Sequence, residues 1–269
     1  MTHNITLGQK ALYPDTYDAA LLEPIARELS RSELGLNGAL PFHGTDIWTG
    51  YELSWLGTSG KPEVAIAEFS FPATSANIIE SKSFKYYLNS FNQTKFDSWE
   101  QVQNTLAQDL SLNAEGQVGV ALYSPEDFSA PEKFPGTCVD RLDVSIGLYS
   151  PNANLLTCSE TKVSQRGMYS HLLKSNCPVT GQPDWASVWI EYSGKEITPE
   201  SFLTYIVSYR QHQDFHENCV ERIFCDLLAR CECDALSVYA RYTRRGGLDI
   251  NPFRSSVERE IPFKRVARQ

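Results

Sequence analysis

The stretches SFKYYLNSF (83–91) and SFLTYIVSY (201–209) share S-F-x-x-Y-x-x-S-aromatic at an offset of 118 residues. Residues one, four and eight positions after the first serine are apolar in both, which suits one face of a helix. Each stretch leads into a second helical segment, DSWEQVQNTLAQDL or HENCVERIFCDLLARC, and then into an alternating strand, QVGVALYS or ALSVYARYT. Upstream, PEVAIAEFSF and DWASVWIEYS both read as strands. The offset holds through the later strands, where Val118 matches Leu236 and Val120 matches Val238. A repeat that preserves element order as well as residues implies one supersecondary unit used twice.

The unit is strand, helix, helix, strand, with hairpin strands around it. Runs of strands followed by runs of helices predict an α+β fold, with antiparallel sheet covered by helices on one face. The turn-rich stretch SPEDFSAPEKFPGT places a linker at about 124–165, dividing the chain into modules 1–125 and 126–269. Tandem modules with free sheet edges invite assembly into a closed ring.

Charge narrows the function. The net charge of −9 argues against a nucleic-acid coat. Residues 240–269 nevertheless hold eight Arg or Lys against three acids, a net of +5 that leaves −14 for the first 239. That tail reads either as solvated surface or as a local site for an anionic ligand. The opening MTHNITLGQKALYPD has no basic segment followed by an apolar one, so no leader is expected. No run approaches the roughly 20 apolar residues that span a bilayer, and a cytoplasmic protein without membrane contact is expected. Seven cysteines without a disulfide-framework spacing predict reduced thiols. Six of them, Cys138, Cys158, Cys219, Cys225, Cys231 and Cys233, are expected to pack as small apolar residues.

The seventh is different. Cys177 lies in SNCPVTGQPDW, a turn rich in proline, glycine and polar residues, with Asp184 seven positions on. A nucleophilic cysteine needs partial exposure and a stabilised thiolate, which turns provide better than cores. The PVTGQP turn can bring the carboxyl back toward the sulfur, where an acid can move the proton that addition to an unsaturated carbon requires. The residues alone equally allow a turn aspartate beside a half-buried thiol.

Three other stretches carry chemistry. In HQDFHEN (212–218), His212, His216 and Cys219 have tolerable zinc spacing, but histidines four apart are common on solvated helices. His216 and Glu217 there could instead grip a flat polar heterocycle. IIESKSFKYYLNSFN (78–92) sets Glu80, Ser81, Lys82 and Lys85 at a helix start, where free N–H groups favour anions, although an ordinary cap explains the acid equally well. RYTRRGGLDINPFRSS (241–256) pairs Arg244 and Arg245 with Gly246 and Gly247, suited to close approach of a phosphate or to a plain hairpin turn. No G-x-G-x-x-G follows a strand, so a Rossmann site is not supported.

Taken in order, PFHGTDIWTGYELSWL, ESKSFKYYLNSFNQT, SNCPVTGQPDW, HENCVERIF and RRGGLDINPFRS resemble the QueF family of NADPH-dependent 7-cyano-7-deazaguanine reductases in its long, two-module form. The resemblance runs over nearly the whole chain, and E-S-K-S-F-K is its most specific motif. It implies the tunnelling fold, a homodimer, NADPH as cofactor, no resident metal and no direct nucleic-acid contact. It implies reduction of the nitrile of 7-cyano-7-deazaguanine to a primary amine, a step toward queuosine in tRNA. Carried onto this sequence, Cys177 would add to the nitrile carbon as a covalent thioimide and Asp184 would manage the proton. Glu80 and Glu217 would grip the guanine-like edge, with Ile79, Ser81 and His216 lining the pocket. Ser81, Lys82, Arg245 and Gly246 would meet NADPH. A zinc-dependent cyclohydrolase-like hydrolase using Cys177 and His216, and a non-catalytic purine-binding protein, are the competing readings.

Overall fold

Alternation along the strands builds the scaffold. In the strand Pro62–Pro72, Ala65, Ala67, Phe69 and Phe71 are buried while their neighbours are not, the period of a half-buried strand. The computed structural model describes residues 13–262 and 265–269. The first 12 residues, on which most of the leader expectation rests, and Lys264 of the basic tail lie outside the described residues.

In chain order the elements are β1 (Pro24–Ala26), α1 (Arg27–Glu33), β2 (His43–Leu56), β3 (Pro62–Pro72), β4 (Asn77–Ile79), α2 (Ser81–Ser90), α3 (Trp99–Ala114) and β5 (Gly119–Tyr123). They continue with β6 (Thr137–Cys138), β7 (Cys158–Asn176), β8 (Pro183–Ile197), α4 (Pro199–Ser208), α5 (His216–Cys231), β9 (Cys233–Tyr242) and β10 (Leu248–Ser255). Eight strands form one sheet in the order β5-β3-β2-β10-β9-β8-β7-β6. Its pairings are antiparallel except for the short β6–β7 edge, which is parallel. β1 and β4 form a separate antiparallel pair.

Both helix pairs cover the same face of the sheet. α2 and α3 bury Phe84, Tyr87, Leu88, Val102, Leu106 and Leu110 against β2 and β3. α4 and α5 bury Phe202, Ile206, Ile223, Phe224 and Leu227 against β8 and β9. The opposite face is covered by a small cluster around Trp189, Tyr239 and Phe253, with Phe134 and Val266 laid over it.

The repeated sequence makes the same bonds in each half. Ser83 and Ser201 donate to the backbone carbonyls three residues earlier, at 2.7 Å. Ser90 and Ser208 do so at 2.6 Å. Tyr87 donates to Asp109 and Tyr205 to Asp226, at 2.6 and 2.7 Å. α3 and α5 end on Glu115 and Glu232 in the left-handed region, at φ 49° and 46°.

Three features depart from the sequence reading. β7 begins at Cys158, inside the stretch expected to be linker. β10 inserts between β2 and β9, so the C-terminal stretch supplies Leu248 and Ile250 to the first core. Arg254 of the basic tail is fully buried. Its guanidinium meets Asp46 at 2.7 Å and Glu221 at 2.8 Å, while Arg27 and Arg31 meet the same acids at 2.6 Å. Desolvating these charges is costly, and leaving any one unpaired costs about 3–5 kcal/mol, so the network ties β2, β10, α1 and α5 together.

The cysteines are free thiols. Cys219 and Cys231 are buried as expected, but Cys138 is exposed and does not pack in a core. Among the described residues no helix is long and apolar enough to cross a membrane.

Candidate active site

A cleft of about 400 Å³ opens where the two halves meet. The first half contributes Trp48 of β2, Ile78 and Ile79 of β4, and Glu80 and Ser81 at the start of α2. The second contributes Cys177 to Val179, Asp184, the stretch Asp214 to Glu217 at the start of α5, Arg245 and Ile250. The apolar walls with a few polar groups are those of a small-molecule site.

Cys177 sits in the turn between β7 and β8. Its N–H donates to the Gln182 carbonyl at 2.9 Å, and its own carbonyl accepts from Gly181 N–H at 2.9 Å. Gly181 has φ +69°, a conformation glycine adopts without strain. Burial alone would raise the thiol pKa. The Thr180 hydroxyl and the backbone N–H groups of Thr180 and Val179 outweigh it and hold the thiol below its ordinary value. The turn is therefore a thiolate cradle.

Asp184, at the second position of β8, is 5% exposed. Burial would raise its pKa, but His216 Nε2 at 3.2 Å and Arg245 at 2.9 Å prevail, and the carboxyl is held below the usual range. His216 is itself fixed by stacking on Tyr242, with ring centroids 3.8 Å apart. Thiol and acid thus share one wall, with the acid ionised and oriented by two cationic or proton-bearing neighbours.

Glu217 lies behind them. It is almost fully buried, and its Oε1 has no hydrogen-bond partner. Burial, reinforced by the nearby Asp46 charge, pushes its pKa up to about 7. A buried carboxylate oxygen without a donor costs free energy that a ligand carrying N–H groups can recover. Glu80 does two things. One oxygen accepts from Ser83 N–H at 2.7 Å and caps α2, and the side chain also lines the cleft. The cap and ligand-contact readings of this residue therefore do not compete, because a carboxylate has two oxygens.

The residues expected to meet a cofactor do not share one wall. Ser81 lines the cleft, and Arg245 bridges from Asp184 to the Gln182 amide. Gly246, at φ +57°, backs onto Lys85, where a Cβ would lie 3.4 Å from the lysine chain. Lys82 is exposed, its ammonium 5.7 Å from the Tyr86 ring centre, and is not part of the cleft wall. Lys85 is closer to the chemistry. Burial, then the Arg245 charge, lowers its pKa, while Glu80, Asp184 and Cys177 oppose that shift. Lys85, Gly246, Gly247 and Leu248 line an adjoining hollow of about 790 Å³ with Tyr13, Glu52, Leu88 and Asn89.

The histidine–cysteine spacing does not become a metal centre. His212 turns to Asp214, His216 to Asp184, and Cys219 is buried in the core. Sequence reasoning missed Phe215, Asp214, Trp48 and Ile250. An aromatic directly before the His-Glu pair at a helix start could have flagged Phe215. The contributions of Trp48 and Ile250 depend on the β2–β10 pairing and leave no local signal.

Comparison with known proteins shows what the chain is similar to. Residues 13–122 match the family model described as nitrile reductase, 7-cyano-7-deazaguanine-reductase N-term, and residues 183–261 match that of QueF-like proteins. The NADPH-dependent 7-cyano-7-deazaguanine reductase of Saccharophagus degradans is 59% identical over 267 residues, covering 99% of each chain. Proteins of the same name from Teredinibacter turnerae and Bordetella avium are 56% and 54% identical, each covering 98% of this chain and 97% of its own. Among solved structures, the apo form of the archaeosine synthase QueF-Like aligns with 37% of this chain and 91% of its own. At 19% identity and a TM-score of 0.29, that likeness carries no weight.

Proposed function

The chain belongs to the QueF family of NADPH-dependent 7-cyano-7-deazaguanine reductases, and from that membership we propose that it reduces the nitrile of 7-cyano-7-deazaguanine to 7-aminomethyl-7-deazaguanine. The observation that carries the reading is one cleft holding three groups. These are the hydrogen-bonded Cys177 thiol, the ionised Asp184, and a buried Glu217 carboxylate oxygen without a donor.

Glu217 and Glu80 accept N–H groups from the guanine-like edge, and Phe215, Ile79 and Trp48 enclose the ring faces. This sets the nitrile against Cys177. The sulfur bonds to the nitrile carbon and one C–N π bond opens. The thiol proton passes by way of Asp184 to the nitrogen, so S–H adds across C≡N with no net proton uptake. Asp184 suits a relay because His216 and Arg245 return it to the ionised state.

The adjoining hollow fits a phosphate-bearing cofactor. Lys85 supplies charge from its wall, with Arg245 beside it in the cleft, and Gly246 presents backbone without a side chain, whereas the Glu52 side chain packs onto Gly247. Ser81 and Arg245 on the cleft wall, Gly246 in the hollow and the exposed Lys82 beside Tyr86 would hold NADPH between them, and the bound cofactor would supply two hydrides in succession. Between them the C–S bond breaks and Cys177 leaves as thiolate, helped by the same Thr180 and Val179 donors that lower its pKa. Asp184 and His216 deliver the proton that completes the amine.

The two halves are tandem tunnelling-fold modules, 1–125 and 126–269, and the chain works as a cytoplasmic homodimer on the route to queuosine in tRNA. The test is nitrile-dependent NADPH oxidation. Two NADPH consumed per nitrile support the proposal, and binding of the deazapurine without NADPH oxidation overturns it.

A further inference from the structure

Away from the cleft, at the β6–β7 edge of the sheet, Cys138, Asp140 and His171 each present a ligand atom, and all three atoms lie within 4.8 Å of one another. None of these residues lines the cleft. We propose that they form a zinc-binding site that staples the segment leading out of the first half onto β7.

The backbone sets the geometry. Gly136, at φ +98°, crosses Gly167 so closely that a Cβ would lie 2.4 Å from the Gly167 carbonyl. This crossing seats β6 on β7, with Thr137 opposite Met168 and Cys138 opposite Tyr169. In an extended segment alternate residues share a side. Val139 is fully buried in the second core, so Cys138 and Asp140 face the other way together. The Asp140 carboxylate is held across the strands by the Ser170 hydroxyl at 2.6 Å and by His171 N–H at 3.0 and 3.2 Å. Those bonds leave lone pairs on the carboxylate for a further partner.

His171 is anchored from the opposite direction. Its Nδ1 meets Ser187 Oγ of β8 at 2.7 Å, while Cys138 lies on the β6 side of the same strand. A partner on one ring nitrogen fixes tautomer and orientation, as is usual around ligating histidines, and the proposed site uses the ring from this fixed position. Thiolate, imidazole and carboxylate together suit zinc rather than a hard cation. Zinc bonds of about 2.0–2.3 Å place tetrahedral ligand atoms about 3.3–3.8 Å apart. The cluster therefore needs to contract by about 1 Å, a swing that the exposed Cys138 side chain can supply. Water completes the fourth position, and Cys138 releases its thiol proton to solvent on binding.

The test is a Co2+ titration of the metal-stripped, tag-free full chain, with Co2+ as a spectroscopic substitute for Zn2+. Wild type should take up one equivalent and show a thiolate-to-cobalt charge-transfer band. Cys138→Ser should lose that band and Cys177→Ala should keep it. Asp140→Asn should weaken binding at least about tenfold, in line with the loss of a ligand-shell group. Zn2+ should raise the thermal midpoint of wild type and leave that of Cys138→Ser unchanged, because only the former gains a native-state ligand. The proposal is overturned if wild type shows no thiolate band, if the band survives Cys138→Ser, if it disappears in Cys177→Ala, or if zinc stabilises both proteins equally.

Discussion

The turn between β2 and β3 and the turn between β7 and β8 are built alike and do different things. Gly57 N–H donates to Lys61 and Gly60 N–H to Gly57, each at 2.9 Å. Cys177 N–H donates to Gln182 and Gly181 N–H to Cys177, also at 2.9 Å. Gly60 and Gly181 both have positive φ, at +82° and +69°. The second turn is one residue longer and carries a thiol where the first has glycine. Its strand continues with buried Asp184, whereas the first strand continues with exposed or half-buried Glu63 and Val64. The first half instead sends Ile79, Glu80 and Ser81 into the cleft from the start of α2. The two halves thus share the bonds of the frame and differ in the side chains that each sends into the cleft.

Removing the addition from the second half should have the largest effect. Asp184→Asn keeps the carboxamide in the same space but ends proton transfer. Turnover is expected to fall about 10²–10⁴-fold with circular dichroism unchanged. Turnover within threefold of wild type would show that the acid is not part of the division of labour.

Glu217→Gln should separate binding from stability. Loss of a charge-assisted contact to the substrate predicts a rise in KM of about 10–100-fold. The free protein should become more stable. The folded-state pKa of Glu217 is raised to about 7 from an ordinary 4.5, so its burial destabilises the fold progressively as pH rises from 4.5 through 7. The glutamine variant therefore gains nothing below about pH 4.5. It gains up to about 3 kcal/mol above pH 7, readable in urea midpoints.

Thr180→Val probes the cradle. Without the hydroxyl the thiolate loses a donor, the Cys177 pKa rises, and the acidic limb of the rate profile for adduct formation moves to higher pH. An unmoved limb would leave the backbone N–H groups as sufficient. The smallest effects belong to the frame. Tyr87→Phe and Tyr205→Phe each remove a hydroxyl bonded to aspartate and should each cost about 1–3 kcal/mol. Tyr205→Phe should cost more, because its hydroxyl also meets Tyr209 at 2.8 Å. A cost confined to one half would break the parallel between them.

What the sequence disclosed was what local pattern determines. Helix faces follow from apolar spacing, so α2 to α5 were readable nearly to their ends. The Cys177 turn was readable from its proline, glycine and aspartate. Long-range pairing was not. The insertion of β10 beside β2 brings Ile250 to the cleft and buries Arg254 against Asp46, partners 208 residues apart. No window of sequence contains both. The tail's excess of arginine therefore looked like surface or ligand site, although part of it is internal ion pairing. Cys138 looked like packing because its cross-strand neighbour Tyr169 belongs to β7, which begins inside the expected linker.

The most direct measurement is intact mass after incubation with 7-cyano-7-deazaguanine in the absence of NADPH. Wild type should gain the mass of one substrate per chain, and Cys177→Ala should gain none. An unmodified wild-type chain, or an adduct that persists in Cys177→Ala, would contradict the assignment of the chemistry to the second turn.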